Sequence, residues 1–116
     1  MTPNGLLHIA LLTNDLKKTE QFYTQVLGLK VAFRVSSYMV FLRSPGAKDL
    51  VNFVKSKNRV LPDHGLEHFG FKTTKAGLRR LTKKLNEREI AIEGTRGKNG
   101  IYFRDPNGYC LEFYCD

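Results

Sequence analysis

The sequence predicts an α+β protein: two βαβββ units whose mixed sheets curl into a half-closed barrel around a concave cleft. Three observations predict it. A shift of sixty residues lays Leu7-His8-Ile9-Ala10-Leu11 on Glu67-His68-Phe69-Gly70-Phe71, and Leu50-Val51-Asn52-Phe53 on Cys110-Leu111-Glu112-Phe113. Between these anchors, Arg43-Ser44-Pro45-Gly46 falls on Arg104-Asp105-Pro106-Asn107 at a shift of sixty-one, one turn being a residue longer. Each copy then reads as one period-two run, one helical-period run and three further strand runs. Finally, residues 99–114 read NGIYFRDPNGYCLEFY, two apolar runs around Asp105-Pro106-Asn107-Gly108, which is the chemistry of a β-hairpin turn.

Taken in order, residues 5–12 alternate and predict a first strand, with His8 on the face of Leu6 and Ala10. Thr13-Asn14-Asp15 offers helix caps. Leu16, Phe22, Tyr23, Val26 and Leu27 have helical spacing up to Gly28, which predicts a helix over 15–27. Val31, Phe33 and Val35 alternate with Lys30, Ala32 and Arg34. Ser36-Ser37 and Ser44-Pro45-Gly46 turn the chain into strands at 38–43 and 50–55. The polar stretch 56–65 connects the copies, and 66–73 is the next strand, with His68 facing as His8 does. Thr73-Thr74 caps a basic helix ending near Glu89, and Ile90 begins the following strand. Residues 94–100 hold three glycines in seven and predict a mobile loop or a simple connection.

At 116 residues with 41% hydrophobic content, the chain is one domain by length, with a small core: unit one at 5–55, a linker at 56–65 and unit two at 66–115. No apolar run approaches a membrane span, and Met1-Thr2-Pro3-Asn4 lacks the charged and apolar regions of a signal peptide. The expectation is a cytoplasmic protein without a membrane partner. Cys110 and Cys115 fall on opposite faces of one strand and predict free thiols.

A net charge of +8 raises nucleic acid as a partner, and the second helix supplies Lys75, Arg79, Arg80, Lys83, Lys84 and Arg88. Leu78, Leu81 and Leu85 form the apolar stripe of that helix, so the basic residues occupy its solvated side. Without an arginine-rich tail, zinc-finger spacing or a ribonucleoprotein motif, the expectation is no nucleic-acid partner; attraction of anionic substrates stays open.

Strand parity supplies the chemistry. In each unit the first strand's histidine and the last strand's Asn52 or Glu112 share the face opposite the bulky residues, so the functional face is expected to be the exposed, concave one. Glu112 projects from the middle of an apolar strand and needs a partner. If the units pair about a pseudo-twofold axis, His8, His68 and Glu112 converge there. Two imidazoles and a carboxylate with open positions left over form a metal site of the facial-triad kind associated with Fe(II), and Mn²⁺ or Zn²⁺ is held similarly. The alternative for any one histidine is an ordinary strand residue.

The βαβββ duplication, the Leu7-His8-Ile9 and His68-Phe69-Gly70-Phe71 strands, and the run Tyr102-Phe103-Arg104-Asp105-Pro106-Asn107-Gly108 leading to Glu112 together resemble the vicinal oxygen chelate superfamily. That superfamily includes glyoxalase I, extradiol dioxygenases, fosfomycin-resistance enzymes and bleomycin-resistance proteins. The resemblance implies a divalent metal on His8, His68 and Glu112, with Fe(II) favoured and Mn, Zn or Ni as alternatives. It also implies a small-molecule substrate and a homodimer. Glyoxalase I places a Glu near Asn52, an amide here, so the ligand pattern is that of the dioxygenases and fosfomycin enzymes.

Ring-cleaving dioxygenation ranks first among the implied activities, with Tyr102 as a catalytic phenol that hydrogen-bonds a substrate oxygen; packing in the sheet is the alternative for Tyr102. Glyoxalase-like lyase or fosfomycin-type thiol transfer ranks second. The fosfomycin reading is lowered because those enzymes use cationic residues around and beyond the last ligand, four residues from the end here. The extradiol enzymes' further acid–base histidine has Glu93 at its position, with His64 as a substitute. A non-catalytic, bleomycin-resistance-like binder is the competing class.

Overall fold

A computed structural model describes residues 1–116. The chain divides into two compact units, residues 1–60 and 61–116, and the break falls inside the expected linker. Unit one runs β1 (Ile9–Thr13), α1 (Leu16–Gln21), β2 (Lys30–Val35), β3 (Met39–Arg43) and β4 (Val51–Lys55). Unit two runs β5 (Phe69–Lys72), α2 (Lys75–Glu87), β6 (Ile92–Arg96), β7 (Gly100–Arg104) and β8 (Cys110–Tyr114). Each unit is a four-stranded mixed sheet with one helical segment. The strand orders β1-β4-β3-β2 and β5-β8-β7-β6 are the same permutation.

The sequence repeat is realised in the ladders. Ile9 pairs with Val51 and Phe69 with Leu111, Ala10 with Asn52 and Gly70 with Glu112, all sixty residues apart. Phe41 opposite Asn52 becomes Tyr102 opposite Glu112 at the offset of sixty-one. Even the irregularity between Val31 and Phe33 recurs between Ile92 and Gly94.

Asp15 caps α1 by accepting from the Lys18 N–H at 3.0 Å, and Thr74 caps α2 by accepting from Gly77 at 3.0 Å. Tyr23, Val40, Leu42 and Phe53 are wholly buried in unit one, and Leu85, Phe103 and Leu111 in unit two. At the second hairpin, Asp105 accepts from the N–H groups of Asn107 at 2.8 Å and Tyr109 at 3.0 Å, closing the Asp-Pro-Asn-Gly turn with its own side chain.

Three expectations are corrected. The first strands begin at Ile9 and Phe69, so His8 and His68 stand just ahead of them; Leu6 and Leu7 have no ladder partner and are exposed. The first helix changes winding, with Phe22–Val26 forming a π-helical turn in which Leu27 donates to the Phe22 carbonyl at 3.3 Å, so that Phe22, Tyr23 and Val26 are all buried. The glycine-rich stretch 94–100 is a hairpin, because Thr95 pairs with Ile101 and Arg96 with Gly100. By count the surplus of positive charge is mainly in unit one, where nine Lys and Arg face three Asp and Glu, against ten and eight in unit two. No helix is long and apolar enough to cross a membrane.

Candidate metal centre

One row across the second sheet, Gly70–Glu112–Tyr102–Gly94, carries the chemistry. Paired residues of neighbouring strands point to the same face, so Glu112 and Tyr102 stand side by side between two glycines that have no side chain to crowd them. Glu112 is only 6% exposed and its first-unit counterpart Asn52 2%, so on the face predicted to be open the polar groups of the last strands are buried.

A buried carboxylate requires partners, and Glu112 has one for each oxygen. Oε1 lies 3.5 Å from His68 Nε2, while Arg96 donates to Oε2 through Nη1 at 3.3 Å. The other ring nitrogen of His68, Nδ1, is 3.2 Å from Glu67 Oε1, and the ring meets Tyr102 edge-on at 5.3 Å. Arg96 lies over the Tyr114 ring, its Cζ 4.4 Å from the centroid, and Glu112 holds its guanidinium charged more firmly than usual. Desolvation, followed by a hydrogen bond to Glu112, raises the Tyr102 phenol above its ordinary pKa, so Tyr102 stays protonated and able to donate.

The donor set suits a divalent cation. An ion about 2.0–2.2 Å from each of two ligand atoms sets those atoms roughly 3–3.5 Å apart, the spacing of His68 Nε2 and Glu112 Oε1. The surroundings are shaped for this carboxylate: a Cβ on Gly70 would come 3.2 Å from the Glu112 carbonyl oxygen, and one on Gly100 would come 3.2 Å from Oε2. Neither unit by itself gathers three His, Cys, Asp or Glu side chains into a metal-holding group.

His8, the remaining predicted ligand, belongs to unit one, where it is exposed and packs edge-on against Phe41 at 5.6 Å; Phe41 stacks on Phe33 at 4.3 Å. Asn52 is buried beside Phe41 in the ladder, and its Oδ1 accepts no hydrogen bond. Glu93 accepts from Arg104 at 3.0 Å, and His64 sits exposed in the turn beside Asp63, another Arg104 partner at 2.8 Å. Cys110 and Cys115 are both free thiols.

Arg96, Gly70 and Gly100 are the site residues that sequence reading missed. The spacing of Arg96 from Gly100 is that of a two-ended hairpin, and period-two counting back from Tyr102 through the turn would have put Arg96 on the Glu112 face.

Comparison with known proteins gives one consistent picture. A family profile described as the Glyoxalase/Bleomycin resistance protein/Dioxygenase superfamily matches residues 5–113. The metallothiol transferase FosB of Lysinibacillus sphaericus is 27% identical over 98% of this chain and 84% of its own length. An integron cassette protein from the mobile metagenome of the Halifax Harbour sewage outfall superposes with a TM-score of 0.78 and 28% identity, covering 98% of this chain and all of that one. A Glu-to-Gln variant of the fosfomycin resistance protein FosX from Listeria monocytogenes, complexed with Mn(II) and dihydroxypropylphosphonic acid, shares the fold at a TM-score of 0.79 and 19% identity, over 97% of this chain and 90% of its own.

Proposed function

The chain belongs to the Glyoxalase/Bleomycin resistance protein/Dioxygenase superfamily, and on that premise we propose that it is a divalent-metal-dependent enzyme acting on a small, oxygen-rich, anionic molecule. His68 and Glu112 are the ligands that unit two supplies, and His8 is the repeat-related counterpart of His68 in unit one. The observation that carries this reading is the division of the Glu112 carboxylate, with Oε1 beside His68 Nε2 and Oε2 beside Arg96. A histidine and a carboxylate spaced as two ligands of one ion, with a guanidinium next to them, provide for a metal and for a negatively charged substrate at once.

The residues divide the work. The ion, when bound, supplies Lewis-acid stabilisation of charge on substrate oxygen. Arg96, with 59% of its side chain exposed, supplies positive charge to a phosphonate or carboxylate. Tyr102 donates its phenolic hydrogen to a substrate oxygen and returns to Glu112 when the substrate leaves. Arg96 supplies beside Glu112 a cationic group whose lack lowered the fosfomycin reading, and the FosB relative is a metallothiol transferase by name. Thiol transfer to a small anionic electrophile therefore ranks first here. Ring-cleaving dioxygenation is the second reading, favoured by Tyr102 standing beside Glu112.

The test is metal reconstitution with Mn²⁺, Fe²⁺, Zn²⁺ and Ni²⁺, followed by a screen of anionic epoxides with thiols, hemithioacetals and catechols. The expected result is metal-dependent consumption of an anionic epoxide and thiol, with Arg96→Ala raising KM. Catechol cleavage would move the second reading to first. A protein that takes up no metal and turns over none of the three is a binder.

A further inference from the structure

On the helix side of the second sheet, across from Glu112, α2 and the β6–β7 hairpin enclose a groove of about 540 Å³. Ile101 alternates with Tyr102 along β7, so the two point to opposite faces. Leu78, Ile101 and Cys115, all buried, line its interior, and exposed Lys75, Arg79 and Lys98 stand around it. No Asp or Glu lines the groove, and none of the three cations makes an ion pair.

That arrangement leaves three positive charges around one apolar floor without a counter-charge. Lys75 and Arg79 are one helical turn apart and repel each other, and the first turn of α2 contains no acidic residue to offset them or the positive end of the helix dipole. Lys98 adds a third charge from the hairpin turn. A low-dielectric floor beneath same-sign charges focuses their field on the groove. We propose that this groove binds a small amphipathic anion: an apolar aromatic or aliphatic body seated on Leu78, Ile101 and Cys115, with one carboxylate, sulfonate or phosphate held by Lys75, Arg79 and Lys98. Its volume is that of a small-molecule pocket. Of the cations in this unit only Lys75, Arg79 and Lys98 line the groove, a footprint that fits one anionic group rather than the extended track a polyanion needs.

The test uses the full chain in EDTA, so that it stands apart from the metal reading, with anilinonaphthalene sulfonate as the fluorescent probe and neutral N-phenylnaphthylamine as its control. Saturable binding that weakens with salt is expected, at least about five-fold tighter for the sulfonate. The Arg79→Glu/Lys98→Glu variant is expected to lose about ten-fold or more in affinity, since each reversal turns attraction into repulsion at close range. Circular dichroism verifies its fold, and Arg79→Gln/Lys98→Gln serves if the reversals unfold it. Amide shifts on titration should centre on Leu78, Thr95 and Ile101. Equal affinity in wild type and variant, equal affinity for the neutral control, or shifts centred elsewhere would each overturn the proposal. So would displacement of the probe by duplex DNA with an affinity that the same variant abolishes, or loss of probe binding as the protein self-associates.

Discussion

Gly100 stands so close to Glu112 that a Cβ on it would lie 3.2 Å from the carboxylate Oε2, and also 3.0 Å from both Arg96 Cβ and Tyr114 Cδ1. Three neighbours hem in that point, and one of them is the proposed metal ligand. Gly100→Ala is expected to destabilise the protein by about 1–3 kcal/mol, the usual range for overpacking, and to weaken metal binding by displacing the carboxylate. Urea denaturation and metal titration check the two effects. Gly94→Ala is the control, because its Cβ would meet only the Tyr102 ring at an ordinary 3.7 Å.

Glu112→Gln keeps the shape of the side chain and removes the charge that Arg96 and a cation both require. Metal affinity is expected to fall about 100-fold or more, because an amide is a poor ligand for a hard divalent ion. The far-ultraviolet circular dichroism should stay that of the wild type. Elemental analysis after reconstitution checks it; unchanged metal content would remove Glu112 from the site.

Asn52 carries a buried carbonyl oxygen without a hydrogen bond, at 2% exposure. Leucine has nearly the same shape and no polar atom to desolvate, so Asn52→Leu is expected to stabilise the protein by about 1 kcal/mol. Asn52→Asp places a charge in the same position and is expected to destabilise it. Thermal unfolding of the two variants against wild type gives both signs.

Asp105, 6% exposed, holds the turn between β7 and β8 through the N–H groups of Asn107 and Tyr109. Asp105→Ala removes the acceptor of two N–H groups, one of them buried with Tyr109, and is expected to lose about 2–3 kcal/mol in chemical denaturation. Because this hairpin carries Tyr102 and Glu112, the variant should also lose metal before it unfolds.

What could be read from residues alone is uneven for definite reasons. The sixty-residue offset predicted which residues pair, since a duplicated chain that folds twice the same way must repeat its ladder: Gly70 meets Glu112 because Ala10 meets Asn52. Strand starts were read too early at Gly5 and Leu66, because alternation continues through residues that find no neighbouring strand. Arg96 escaped notice for the opposite reason. Three glycines read as a loop, yet Gly94 and Gly100 are strand residues, and the missing side chain of Gly100 makes room for Glu112.

The sequence by itself determined the duplicated strand–helix–strand plan, the shared faces of Asn52, Tyr102 and Glu112 within their strands, and the hairpin that carries the last carboxylate. These follow from periodicities and turn chemistry that act between near neighbours in the chain. Only the tertiary structure decided that Glu112 is buried, that its two oxygens divide between His68 and Arg96, and that Lys75, Arg79 and Lys98 surround a single groove. Burial and convergence depend on which distant residues the fold brings within a few ångströms, and no local pattern encodes that distance.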